Sequence, residues 1–176
     1  MTTLELLKVT KAVWGSIRDA LPEEKNRILL AMADALQQET DSILAANEQD
    51  MDKARGGISE VMLDRLSLDP ASIDGMADGI RATVKLPDHT GGIISETVHA
   101  NGMHICKKQE PLGLVAIIYE SRPNVTSDAA ALAIKSGNVC MLRSGKEAFN
   151  SCHAIVKALK KGIAAATDAA VEGLKE

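Results

Sequence analysis

Two short polar segments carry the residues best suited to chemistry. Arg143-Ser144-Gly145-Lys146-Glu147 sets two cations around a glycine, directly after the apolar run Val139–Leu142 and before a helical pattern. Cationic side chains beside the free N–H groups of a helix start make an anion site, with phosphate the natural ligand. The spacing is not a P-loop, because Glu147 stands where Ser or Thr would follow Gly-Lys and Cys140 stands where the first glycine would be. It is not GxGxxG either. The second segment, Glu120-Ser121-Arg122-Pro123-Asn124, follows the apolar run Leu112–Tyr119. An Asn124 amide aimed into a cleft can donate to a developing oxyanion without changing charge, and Arg122, with Ser121 beside it, can attract phosphate or carboxylate. Plainer readings compete: solvated loop charges for Arg143 and Lys146, ordinary turn residues for Pro123 and Asn124. Tyr119 and Glu120 read as structural.

The three cysteines, Cys106, Cys140 and Cys152, are odd in number and fit no metal-binding spacing. Cys140 lies in an apolar run and reads as a buried thiol. Cys152 beside His153 invites a nucleophile-and-base reading, but neighbours on a helix point about 100° apart. Asn124-Val125-Thr126 matches a glycosylation sequon, which matters only in a secreted protein.

The composition narrows the classes. With 20 basic against 24 acidic residues and only Trp14, Tyr119 and Phe149 as aromatics, the chain of 176 residues has neither the basic footprint nor the stacking platforms of a nucleic-acid binder. Leu112–Tyr119, the longest strongly apolar run, is far too short for a bilayer span, and MTTLELLKVTK lacks the features of a signal peptide. No nucleic acid, no membrane and a cytoplasmic setting are expected.

The elements that must position the two segments follow from periodicity. Leu4, Leu7, Thr10, Val13 or Trp14 and Ile17 recur at helical spacing, and Pro22 opens a second helix whose face is Ile28, Met32, Ala35 and Leu36. Thr40 or Asp41 is expected to cap a third helix that stops at Gly56-Gly57, Ser59 a short fourth, and Asp69-Pro70 a fifth through Val84. Asn101-Gly102 between two extended runs signals a hairpin over 92–109. Leu112–Tyr119 and Val139–Leu142 read as parallel strands covered on both faces. The first leads to a helix Asp128–Ser136 capped by Ser127 or Thr126. The second leads to a helix begun by a Ser144-x-x-Glu147 capping box, with Phe149, Cys152, Val156, Leu159 and Ile163 on one face. That helix is expected to fade after Ala166. The sheet has only two visible strands and reads as unfinished. Both polar segments then fall at carboxyl strand ends, where open α/β sheets bind ligands.

Taken together, IIYESRPNVTSDAAALAIKSGN, LRSGKEA, ILAANEQDMDKAR, MLDRLSLDPASIDGMADGIRATVKLPD and EPLG closely resemble the γ-glutamyl phosphate reductases, or glutamate-5-semialdehyde dehydrogenases, of the aldehyde dehydrogenase superfamily. The resemblance implies an α/β fold: amino-terminal helices (1–91), a β-hairpin ribbon of the oligomerising type (92–109) and an incomplete Rossmann-like parallel sheet forming the first part of an NADP-binding domain (110–176). The catalytic domain is expected to be absent. It also implies NADPH-dependent reduction of L-glutamyl 5-phosphate to L-glutamate 5-semialdehyde with phosphate release, in proline biosynthesis. Arg143 then lies near the adenosine ribose, Lys146 near the 2′-phosphate, with Ser144 and Gly145 between them. Asn124 takes the oxyanion role, and Ser121 and Arg122 face the substrate. None of the three cysteines sits in the family's nucleophile motif, so the chain alone is expected to be inactive. His89 stands where the family's LPDP stretch has proline. The rivals are a noncatalytic module that binds nucleotide or pairs with a partner through 92–109, and an aldehyde dehydrogenase relative with another acyl substrate.

Overall fold

The computed structural model describes residues 2–173. Helix α3 (Pro22–Gln38) is its centre, and the sequence explains why it forms. Pro22 at the first position has its φ preset for a helix, and the Glu24 carboxylate accepts the Leu21 N–H at 2.8 Å. Leu29, Met32, Ala33 and Leu36, spaced at helical intervals, are fully buried. Truncating such a leucine to alanine costs about 2–5 kcal/mol. Lys25 is also on the buried side. Its ammonium bonds Asp88 Oδ2 at 2.9 Å and Thr90 Oγ1 at 3.3 Å, which ties α3 to the chain entering the ribbon.

Around α3 pack α6 (Pro70–Val84), α7 (Asn124–Lys135) and α8 (Phe149–Gly173), with α4 (Thr40–Ala54) against α8. One core joins Leu29, Ile43, Ile73, Ile80, Ala131, Ile155 and Leu159, so it draws on both sides of the 92–109 ribbon. The α3–α8 crossing is close enough that a Cβ on Gly162 would lie 2.5 Å from the Ala31 carbonyl oxygen and 2.7 Å from Met32 Cα. Only glycine permits backbone contact of that kind. Strands β3 (Leu114–Ile118) and β4 (Val139–Arg143) pair in parallel, Leu114 opposite Val139 through Ile118 opposite Arg143. Cys140 and Leu142 reach the core.

Several local expectations are corrected. The first helix breaks at Val13 into α1 (Thr3–Ala12) and α2 (Trp14–Arg18), and neither buries a residue; Leu4, Val9 and Val13 are more than half exposed. Trp14 still anchors this segment, its indole N–H donating to the Gly137 carbonyl at 3.0 Å. Neither Thr40 nor Asp41 caps α4. Glu39 stands at the N-cap with no side-chain cap; its N–H bonds the Ala35 carbonyl and its carbonyl accepts the Ile43 N–H, while the Thr40 hydroxyl donates back to the Gln37 carbonyl at 2.8 Å. Helix α7 starts four residues before Asp128, because Pro123 at its N-cap already has helical φ and ψ. Thr126 and Ser127 therefore lie buried inside the first turn instead of capping it. Ser144 caps nothing: a 3₁₀ turn, Lys146–Ala148, precedes α8 with Gly145 at its N-cap.

The strands are also less covered than their apolar runs predict. Ile118 is 79% exposed and Ala116 is exposed, whereas β4 is half-buried from Val139 to Leu142, where α1 and α7 both lie against it. On α8 the buried stripe is Cys152, Ile155, Ala158, Leu159 and Ala166, whereas Phe149 is 63% exposed. The helix continues to Gly173 without fading at Ala166, and residues 174–176 lie outside the described part.

The hairpin of β1 (Ile93–Val98) and β2 (His104–Lys108) forms as expected and is exposed on both faces. Gly102 alone in its loop has positive φ, and its N–H bonds the His99 carbonyl at 2.9 Å while the His99 N–H bonds the Met103 carbonyl. This is a three-residue loop with glycine in the left-handed position, not a two-residue turn centred on Asn-Gly. Among the described residues no helix is long and apolar enough to cross a membrane.

Candidate functional site

The register of β3 and β4 brings both polar segments to one edge. Ile118 lies opposite Arg143, and the Tyr119 N–H bonds the Arg143 carbonyl at 3.0 Å, so the two turns leave the sheet side by side. A contact that the sequence did not signal joins them: the Ser121 hydroxyl, 4% exposed, donates to Glu147 Oε2 at 3.0 Å. Gly145 lies between them. A Cβ there would fall 2.8 Å from Ser121 Oγ, 3.0 Å from Glu147 Oε2 and 3.4 Å from the Ser121 nitrogen. The Ser-x-x-Glu spacing resembled a cap, but Glu147 reaches across to the neighbouring turn.

Beyond this clasp an open cleft of about 370 Å³ lies over the end of β4, walled by Leu142, Phe149, Cys152, His153 and Val156, with Arg143, Ser144, Gly145 and Lys146 along its polar side. Arg143 and Lys146 are exposed, and neither takes part in an ion pair among the described residues. The structure thus gathers the second segment around one cavity. Ser121, Arg122 and Asn124 are not on its wall. Arg122 and Asn124 are exposed at the same edge, with Asn124 in the first turn of α7, where its carbonyl accepts the Ser127 hydroxyl at 2.7 Å.

Tyr119 closes the inner end of the cleft. Its hydroxyl bonds Thr126 Oγ1 at 2.7 Å, and burial, the largest influence, pushes its pKa up to about 12. Burial likewise raises the Cys140 thiol. Cys152 is 6% exposed, and the ring of His153 stacks on Phe149 with centroids 5.9 Å apart, one helical turn away. The adjacent Cys-His pair is therefore not arranged as nucleophile and base, as the helical geometry predicts. Sequence reading missed the Phe149–His153 pair, although its i, i+4 spacing was legible.

Behind the cleft, the start of α8 is held by Asp50 of α4. This buried carboxylate accepts the Ser151 N–H, the Ser151 hydroxyl and the Asn150 side-chain amide, each at 2.7 Å. Asn47 donates to Ser151 Oγ and to the Leu66 carbonyl, and accepts the Leu68 N–H. Buried polar positions break the apolar period, so no pattern marked them.

A second hollow of about 480 Å³ lies at the opposite, amino ends of the strands, between the base of the ribbon and α7. It is remote from both turns.

No protein-family model matches the chain. A γ-glutamyl phosphate reductase of Streptococcus suis is 57% identical over 162 residues, 92% of this chain and 39% of that protein. One of Neisseria meningitidis is 56% identical over the same shares. The chain is homologous to part of the γ-glutamyl phosphate reductases. It spans about two fifths of the length of the curated relatives it matches. The crystal structure of γ-glutamyl phosphate reductase from Thermotoga maritima superposes with a TM-score of 0.88 at 39% identity, covering 91% of this chain and 39% of the other. The Saccharomyces cerevisiae protein gives 0.85 at 29%, covering 93% and 42%. A probable aldehyde dehydrogenase from Listeria monocytogenes, 14% identical with a TM-score of 0.68 over 92% and 33%, shares the fold. The α/β reading, with helices, a hairpin ribbon and part of a parallel sheet of the aldehyde dehydrogenase fold, agrees with these superpositions.

Proposed function

We propose that this chain supplies the nucleotide-holding part of an NADPH-dependent reduction of L-glutamyl 5-phosphate to L-glutamate 5-semialdehyde, with release of phosphate, in proline biosynthesis. One coincidence carries this reading: 57% identity to a γ-glutamyl phosphate reductase and a cleft flanked by Arg143 and Lys146 at the carboxyl end of a parallel strand. Two cations with no acidic partner among the described residues suit a phosphorylated ribose, and Lys146 suits the 2′-phosphate that distinguishes NADPH from NADH. Ser144 and Gly145 add backbone N–H groups, and Phe149 and Val156 offer apolar wall. The bound cofactor would supply the hydride. Asn124 would donate its amide to the oxyanion of the reacting acyl group, and exposed Arg122 would attract the substrate's anionic groups. Ser121 would keep the two turns in register through Glu147.

On this reading residues 1–91 and 110–176 together make the cofactor-binding unit, and the ribbon at 92–109 joins copies of the protein. The family's nucleophile is not among Cys106, Cys140 and Cys152, so the chain alone binds cofactor without turnover. Titration of the chain with NADPH, followed by cofactor fluorescence, tests this. Arg143→Ala and Lys146→Ala should each weaken binding about tenfold, the equivalent of one charge-assisted hydrogen bond. Lys146→Ala should act on NADPH more than on NADH. Absence of cofactor binding would refute the reading, and sustained NADPH oxidation with glutamyl phosphate would refute the missing nucleophile.

The ribbon's exposure on both faces, with Ile93, Ile94 and Val98 each more than half exposed, favours a second reading in which the chain pairs with a partner through 92–109. Light scattering on the intact chain and on a Val98→Lys variant tests the pairing, which the first reading shares as contact between copies, and the cofactor titration separates the two. A monomer in both would remove this role.

A further inference from the structure

The ribbon carries a side-chain cluster that the reductase reading does not use. Glu96 on β1 lies directly opposite Cys106 on β2, and His104, two residues before Cys106, projects from the same face. One ligand atom from each of the three lies within 4.8 Å of the others. Cys106 Sγ is 3.3 Å from Glu96 Oε1 and 4.0 Å from His104 Nε2, and His104 Nε2 is 3.5 Å from Glu96 Oε2. No linear pattern signals the cluster, since one cysteine, one histidine and one glutamate on two strands match no metal motif.

We infer that Glu96, His104 and Cys106 form a three-ligand site for a thiophilic divalent cation of the Zn²⁺ class. Tetrahedral zinc, with Zn–S of about 2.3 Å and Zn–N or Zn–O of about 2.0–2.2 Å, sets its donors about 3.4–3.6 Å apart. The three observed separations bracket that range, so small rotamer adjustments centre an ion among them. A thiolate and an imidazole select zinc, cobalt or cadmium over magnesium and calcium, whose ligands are oxygens. All three side chains are exposed and no core packing forces them together, so the antiparallel register itself preorganises the site. Binding releases the thiol proton of Cys106, leaving S⁻ on the metal, and the fourth position is open to water. The ion would pin β1 to β2 near the middle of a hairpin that is otherwise marginal in water.

The experiment uses the intact chain, reduced and stripped of metal, titrated with Co²⁺ and then with Zn²⁺. The expected result is one equivalent of Co²⁺ giving a thiolate-to-metal absorption in the near ultraviolet, abolished by Zn²⁺ and unaffected by excess Mg²⁺. Cys106→Ser should remove the band, and His104→Ala and Glu96→Gln should each weaken Zn²⁺ binding. The double variant should lose at least about 100-fold, beyond what the loss of an outer-shell partner costs. Because these residues lie outside the core, circular dichroism of each variant should match the parent. As a second readout, Zn²⁺ should slow alkylation of Cys106, located by peptide mass, but not that of Cys140. No thiolate band, a band that survives Cys106→Ser, or Zn²⁺ affinity unchanged in the double variant would each overturn the assignment.

Discussion

Asp50 offers the sharpest test of how the cleft is held in place. Its carboxylate is 2% exposed and receives three bonds of 2.7 Å and one of 3.3 Å from the first turn of α8, so Asp50→Ala orphans those donors. The Asn150 amide is only half-buried and can turn to water, but the Ser151 N–H and hydroxyl are buried and cannot. Two buried donors left unpaired cost about 1–3 kcal/mol each, and the lost charge at a helix amino end adds about 0.3–1 kcal/mol. The expected loss is about 4 kcal/mol, a large share of a total stability of about 5–15 kcal/mol. Asp50→Asn retains one acceptor oxygen but turns an N–H₂ group toward other donors, and should cost less, about 2 kcal/mol. Urea unfolding followed by helical circular dichroism measures both, with the slope expected to stay constant. A loss below about 1 kcal/mol for Asp50→Ala at unchanged slope, or a larger loss for Asn than for Ala, would refute the capping argument.

Two further outcomes rest on titration. Tyr119 is the only tyrosine, so the phenolate absorbance of the chain reports it alone. Burial raises its pKa from the usual value near 10 to about 12, so the native chain should not titrate near pH 10, and its contribution to stability should fall as pH rises from about 10 toward 12; a native midpoint at about 10 would contradict this. Desolvation would raise the Asp88 carboxyl, but the hydrogen bonds from Lys25 and Thr90 together with the Lys25 charge outweigh it and hold it below the ordinary carboxylate value. A depressed carboxylate contributes stability above its unfolded value of about 4 and loses it as pH falls through the folded value. Asp88→Asn should therefore cost about 3 kcal/mol at neutral pH, because it leaves Lys25 buried without its counter-charge. It should also flatten the acid limb of the stability profile, and an unchanged limb would show that Asp88 does not shape it.

The helical half was legible because its signals are local. Pro22, the Ser59 and Asp69 caps, and the stop at Gly56 act within a few residues of themselves, and all are found as read. Errors fell where two local signals competed. Thr126, Ser127 and Ser144 resemble caps, but Pro123 started α7 earlier and Glu147 turned to Ser121. Leu112–Tyr119 read as buried on both sides because apolar composition records what a strand can bury, not what stands beside it.

Residue types and order alone determined the family resemblance, the aldehyde dehydrogenase-type fold, and the position of Arg143 and Lys146 just beyond a strand. They could do so because strand, turn and helix are specified by neighbours in sequence. Only the tertiary structure decided what those residues meet. Parallel pairing of β3 and β4 brought Ser121 to Glu147, the α4–α8 packing brought Asp50 to the start of α8, and the hairpin register brought Glu96 to Cys106 and His104. These contacts join residues 8 to 101 positions apart. Each polar group finds its partner through the close approach of separate elements, a distance that no local pattern encodes.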